Sequence, residues 1–170
     1  MIRVNKTDSF TDEDLRCFRK AAKFAANKFL SETQQKKMTI IIDFPDDEFF
    51  ENVWYGECCF VGIKNGRRQF KIAVKTLVDN RAKNTIVRLS QGLRTLFHEM
   101  THVKQYMCGE LFDYANGDVK HQGRVYEHGY EYWDSPWEIE AYGMSESLYH
   151  QFYQKHHKEF EAKHHGKTEA

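Results

Sequence analysis

The residues with the most chemical potential in this chain are His98-Glu99-Met100-Thr101-His102, an HExxH pattern. Residues four apart on a helix lie on one face with Cβ atoms about 5–6 Å apart, so two imidazoles can converge on a single ion. Zinc takes such nitrogens at roughly 2.0–2.1 Å in a tetrahedron, and a catalytic site leaves one position to water. Glu99 sits one step round the helix, off the shared face and placed to hydrogen-bond that water. Zinc lowers the pKa of the water towards about 7, the carboxylate takes its proton, and the hydroxide attacks a carbonyl polarised by the metal. The spacing predicts Zn2+ held by His98 and His102, with Glu99 as the general base. Thr95, Leu96, Met100, Thr101 and Val103 are all uncharged, which suits a helix buried on both sides.

A catalytic zinc needs a third protein ligand, and Trp137-Glu138-Ile139-Glu140-Ala141-Tyr142 offers carboxylates at the start of a later helix. HEMTHVKQYMCGEL, then GRVY, then YWDSPWEIEAYG resembles the gluzincin group of HExxH metallopeptidases. More narrowly, it is similar to small bacterial and phage metallopeptidases carrying a PWEIEA motif. The resemblance runs from Leu93 to Ser147. It implies a zincin-like fold, peptide-bond hydrolysis, and a third ligand supplied by a glutamate in a Glu-x-x-Ala context. Carried onto this sequence, that glutamate is Glu138, with Glu140 as the fallback two residues on. Many relatives place an aspartate after the alanine to orient a ligand histidine. Here Tyr142 stands there, so that contact is missing.

Rival assignments exist for several residues. His121, nineteen residues after His102, would be the third ligand in a SprT-like protease acting on DNA-associated proteins. A catalytically silent zinc-binding module is the other alternative, and the presence of Glu99 argues against it. Tyr126, Tyr130 and Tyr132 are each able to donate to a developing oxyanion, but packing is the preferred reading of each. The pairs His156-His157 and His164-His165 read as solvated residues of a polar, Lys-rich helix.

The elements that must position these groups follow from periodicity and punctuation. Thr11 and Asp14 make a capping pair for a helix from Asp12 to the mid-thirties, its inward stripe being Leu15, Phe18, Ala22, Ala25 and Phe29. Met38 to Phe44 is a β-branched run ended by Pro45 and reads as a buried strand. Asp46 to Glu51 is expected to be a solvated turn. Asn65-Gly66 joins two strands, Glu57 to Lys64 and Arg67 to Thr76, as a hairpin. The second arm alternates apolar and polar residues, as an edge strand able to pair with an extended substrate does. Lys64, Arg67, Arg68 and Lys71 are read as its solvated tip. A helix from about Val87 to Cys108 carries the HExxH and ends at Gly109. An irregular connection with short strand-like pieces then leads to a last helix near Pro136, with Ile139, Tyr142, Leu148 and Phe152 facing inward.

The sum is an α+β zincin-like domain spanning 1–170. It has a small, mainly antiparallel sheet, an HExxH helix, a glutamate-bearing helix and a tail frayed after about 155. Lys and Arg number 25 and so do Asp and Glu, a formal net charge of zero, so no basic excess advertises nucleic acid as a partner. Hydrophobic residues make up 41%, enough for a packed core. No apolar run reaches membrane-spanning length and MIRVNKTDSF is not a signal peptide, which predicts a cytoplasmic protein. Its cysteines have no metal-ligand spacing and are expected as thiols. The expected partner is a peptide or protein substrate.

Overall fold

The computed structural model describes residues 1–45, 55–75 and 85–165, with the side chains of 85–86 and 159–165 left aside. The expected turn at 46–51 lies outside the described residues.

Helix α1 (Asp12–Phe29) begins on the capping box read from the sequence: the Asp14 amide donates to Thr11 Oγ1 (3.2 Å) and the Thr11 amide to Asp14 Oδ2 (3.1 Å). Leu15, Phe18, Ala22 and Ala25 are buried, and Phe29 packs partly buried against the same core. The helix stops earlier than its periodicity suggests. Leu30 is extended, and a second capping box, Ser31 with Gln34, starts a short α2 (Glu32–Lys36). Two reciprocal side-chain bonds at Ser31 outweigh continuation, since they satisfy donors that a new helix start would otherwise leave bare.

The main sheet has the order β1-β2-β4-β3, from β1 (Ile2–Val4), β2 (Met38–Asp43), β3 (Gly56–Lys64) and β4 (Arg67–Val74). The pairings β1–β2 and β2–β4 are parallel and only β3–β4 is antiparallel, so the sheet is mixed and the mainly antiparallel expectation is corrected. Asn65 and Gly66 both have positive φ, 52° and 70°, as a two-residue hairpin turn requires. The edge assignment is also corrected. β4 lies between β2 and β3, and among the described residues the edge strands are β1 and β3, the latter with Phe60, Val61 and Ile63 exposed. Alternation in β4 reported which face was buried, a property independent of how many neighbours a strand has. The basic residues at the hairpin tip are exposed, and Arg68 donates to the Tyr106 carbonyl (2.6 Å).

Three helices cover this sheet with one core. Phe18 meets Phe10 and Phe44 edge to face, and Phe97 meets Phe24 and Phe152. Helix α3 (Thr85–Cys108) contributes Leu89, Leu93, Leu96, Phe97, Met100 and Val103 to it. Gly109 ends α3: its amide donates to the Tyr106 carbonyl and the Glu110 amide to the Gln105 carbonyl, the two bonds of a glycine-closed helix end.

The connection after α3 is more regular than its composition suggests. β5 (Leu111–Asp113), β6 (Val119–His121) and β7 (Arg124–Tyr126) form a three-stranded antiparallel sheet. A single 3₁₀ turn (Tyr132–Asp134) then leads into α4 (Pro136–His165). The helical backbone of α4 is described as far as His165, and residues 166–170 of the tail lie outside the described residues.

The inward face of α4 is likewise corrected. Ile139 and Tyr142 are exposed, while Glu138, Ala141, Ser145, Leu148 and Phe152 are buried. These recur at three- and four-residue steps, but the first turns of the stripe are polar, so an apolar template selects the wrong register. Among the described residues, no helix is long and apolar enough to cross a membrane.

Candidate metal centre

Helix α3 presents His98 and His102 one turn apart, and the first turn of α4 brings Glu138 against them. His98 Nε2 lies 3.1 Å from Glu138 Oε2, His102 Nε2 lies 3.4 Å from Glu138 Oε1, and the two Nε2 atoms are 3.2 Å apart. A tetrahedral zinc at about 2.0–2.1 Å from each donor separates its ligand atoms by roughly 3.3 Å. The two Glu138 contacts use different carboxylate oxygens, and with one ligand atom from each residue the three atoms lie within 4.8 Å of one another, close enough to share one ion. His98, His102 and Glu138 form a group that could hold a metal ion.

The electrostatics point the same way. Burial acts against the Glu138 anion, yet hydrogen bonds to His102 and His98 hold its carboxyl far below the usual carboxylate range. Burial also pulls His102 down, but its hydrogen bond to Glu138 and the charges of Glu99 and Glu138 carry it up to about 9. A buried carboxylate facing two imidazoles thus draws positive charge, which a proton or a metal cation can supply.

Glu99 is 4% exposed and shares a cavity of about 640 Å³ with His98. Burial pushes its carboxyl up to about 8 against the pull of His102, and Glu138 and Glu57 add to the rise. The cavity runs past Tyr132, Trp133 and Tyr142 on one wall and Tyr55 and Gly56 on another. Gly56 opens the edge strand β3. A Cβ there would stand 2.7 Å from Glu99 Oε1 and 2.5 Å from Thr95 Cγ2. Only glycine lets the strand lie this close over the carboxylate.

The rival residues lie elsewhere. Glu140 faces Lys104 (2.7 Å) and Gln105 (3.0 Å), on the other side of His102 from Glu138. His121 Nε2 is 3.8 Å from Glu140 Oε2 and is not part of the metal-capable group. Tyr126 and Tyr130 pack on Trp137. Tyr132 is the tyrosine of the three that borders the cavity, and it hydrogen-bonds to Tyr142 and Glu138. His156 packs on Phe152 and His157 Nδ1 donates to the Gln154 carbonyl, whereas the side chains of His164 and His165 lie outside the described residues.

Two contributors escaped the sequence reading. Gln105 Oε1 lies 2.9 Å from His102 Nδ1, at the i+3 spacing that places it beside that imidazole. Tyr142, read as a core residue standing in place of an aspartate, packs its ring edge-to-face on His98 at 4.5 Å between centroids. The i+3 spacing after His102 was the signal available for Gln105. Nothing in the sequence pointed to Tyr142 as a ring partner.

Comparisons of this chain with protein-family models, curated proteins and solved structures find no match.

Proposed function

We propose that this protein is a zinc-dependent metallopeptidase, with His98, His102 and Glu138 as ligands and Glu99 as general base. The observation that carries this reading is the His98, His102 and Glu138 cluster, its ligand atoms within 4.8 Å of one another, beside a buried glutamate at the wall of a cavity. When bound, zinc supplies Lewis-acid polarisation of the substrate carbonyl and acidifies the attacking water.

The chain's own residues do the rest. The Glu99 carboxylate takes a proton from the water and hands it to the leaving nitrogen, and a pKa raised towards neutrality suits both transfers. A positive charge on the ligand triad favours the ionised form of Glu99 needed for the first transfer. Tyr132, held beside Glu138, is the hydroxyl available to the oxyanion. The edge strand β3, which starts at Gly56 beside Glu99, offers backbone donors and acceptors to an extended peptide. That replaces β4, the strand first expected in this role.

Elemental analysis after zinc reconstitution, paired with cleavage of a peptide library, tests the proposal. The expected result is one zinc per chain, lost in a His98→Ala, His102→Ala double variant, and cleavage that a chelator stops. Protein that takes up no zinc refutes the metal assignment. A zinc-loaded protein that cleaves nothing in the library leaves the metal and removes the peptidase.

A further inference from the structure

The aspartate that would orient a ligand histidine is replaced by Tyr142, yet His102 is not left unsupported. Gln105 is fully buried and its amide is committed on every side. Its Nε2 donates to the Trp137 carbonyl (3.0 Å) and to Glu140 Oε2 (3.0 Å). Both partners are acceptors only. The other carboxylate oxygen of Glu140 is taken by the Lys104 ammonium, so the group faces the amide as an acceptor. Lys104 Nζ reaches Glu140 Oε1 at 2.7 Å and Glu110 Oε2 at 2.6 Å. Turning the amide over would set its oxygen against a carbonyl and a carboxylate, so the network dictates which way it faces.

The atom left for His102 is therefore Gln105 Oε1, which can only accept. His102 Nδ1, 2.9 Å away, must carry the hydrogen. In the neutral ring this leaves the lone pair on Nε2, the atom facing Glu138 and His98. We infer that Gln105 is a positioning residue for the metal centre: held by Glu140 and the Trp137 carbonyl, it locks His102 in the tautomer that presents Nε2 to a divalent cation. The same amide ties α3 to the first turn of α4, because Trp137 immediately precedes Glu138. One side chain thus sets the orientation of one ligand and the approach of another.

This inference rests on the metal-centre reading, and the experiment separates the two. Zinc affinity is measured by competition with a chromogenic chelator on the full chain, for the parent, Gln105→Leu, Glu140→Gln and the exchange Gln105→Glu with Glu140→Gln. Nitrogen-15 histidine spectra record the Nδ1–H of His102 with and without zinc. In the parent that proton is expected to exchange slowly, sheltered by Gln105.

Gln105→Leu is expected to bind zinc about 10–100-fold more weakly and to lose the sheltered proton. The exchange rebuilds an acceptor for His102 held by an amide donor from position 140. It is expected to recover the proton and most of the affinity. Leu148→Ala, a core truncation remote from the network, should lower stability without moving either readout. If Gln105→Leu does not fold, the exchange variant and Glu140→Gln carry the test by the same two readouts.

Zinc affinity within twofold of the parent in Gln105→Leu or, should that not fold, in Glu140→Gln, with the His102 proton unchanged, overturns the inference and leaves the metal centre standing. A parent that binds no zinc overturns the metal centre itself, and the role of Gln105 with it.

Discussion

His98 and His102 stand one turn apart on α3, yet the two sides of the centre are built on different physics. His102 lies on the closed side, with Nδ1 bonded to Gln105 and, through it, to Glu140 and Lys104. His98 lies on the open side, at the cavity wall, and its buried Nδ1 has no hydrogen-bond partner among the described residues. Its support is the ring of Tyr142, which itself stacks on Trp133 at 5.4 Å. Hydrogen bonds fix a direction within narrow limits, whereas an aromatic face allows a ring to tilt. On the function proposed, the interior side would set the geometry of the metal centre and the cavity side would leave room for a substrate.

The largest effect expected from breaking this division falls on the open side. Glu99→Gln keeps the shape of the side chain and removes the base, so cleavage of any peptide substrate should fall by on the order of 10²–10⁴-fold. Zinc affinity, set by the ligands and the closed side, should stay near that of the parent. Rates for both proteins on one library-derived peptide, with metal content checked in parallel, decide it. Unchanged cleavage would remove Glu99 from the mechanism.

A pH titration probes the charge the two sides share. In chelator-treated protein His102 has its pKa raised from 6.5 to about 9, so it contributes stability fully below pH 6.5 that is lost as pH rises through 9. That shift corresponds to about 3 kcal/mol. Glu99, raised from 4.5 to about 8, acts in the same direction, its contribution being present below 4.5 and gone above 8. Glu138, lowered, contributes above 4.5 and loses that only in acid well below it. The chelated protein should therefore melt at progressively lower temperature between pH 6.5 and 9. The gain in melting temperature on adding zinc should grow over the same range, because protons no longer compete for the imidazoles. A melting temperature independent of pH and zinc across this window would contradict the charge arrangement.

Much of this candidate site was legible in the sequence because its residues sit on helices, where spacing alone sets who shares a face. His98 and His102 needed only the i,i+4 rule, and Glu138 needed the Glu-x-x-Ala resemblance. Local punctuation was equally readable, as the Thr11–Asp14 cap, the Asn65-Gly66 turn and Gly109 show. What stayed hidden depended on partners distant in sequence. Strand β1 is three residues long and pairs in parallel with β2, thirty-eight positions away, which no local pattern announces. The inward face of α4 was misread because it is polar at Glu138 and Ser145, where function and packing ask for different residues. Gln105 stayed hidden because its value lies in where its hydrogen bonds go, across to Trp137 and Glu140.

A smaller effect is expected where the edge strand meets the base. Gly56→Ala places a methyl 2.7 Å from Glu99 Oε1 and 2.5 Å from Thr95 Cγ2, with the Ala73 carbonyl at 3.1 Å behind it. Strand and carboxylate must part, at a cost of about 1–3 kcal/mol. Stability measured by denaturant should fall by that amount, and peptide cleavage should fall with it. Zinc affinity should hold, since neither the ligand triad nor Gln105 touches the added atom. A variant as stable as the parent would show that β3 does not press on the base.

The smallest effect should separate the two ligand supports directly. Tyr142 is 42% exposed and offers His98 a ring without a hydrogen bond to its Nδ1. Edge-to-face aromatic pairs contribute about 0.5–1.5 kcal/mol beyond their buried area, so Tyr142→Leu should weaken zinc by at most about tenfold. Tyr142→Phe keeps the ring and loses only the hydroxyl bonded to Tyr132, so its zinc affinity should match the parent. Measured beside Gln105→Leu, the two tyrosine variants rank the supports by a single quantity. If Tyr142→Leu cost more zinc affinity than Gln105→Leu, the open side would be the one that defines the geometry. The roles assigned to the two imidazoles would then have to be exchanged.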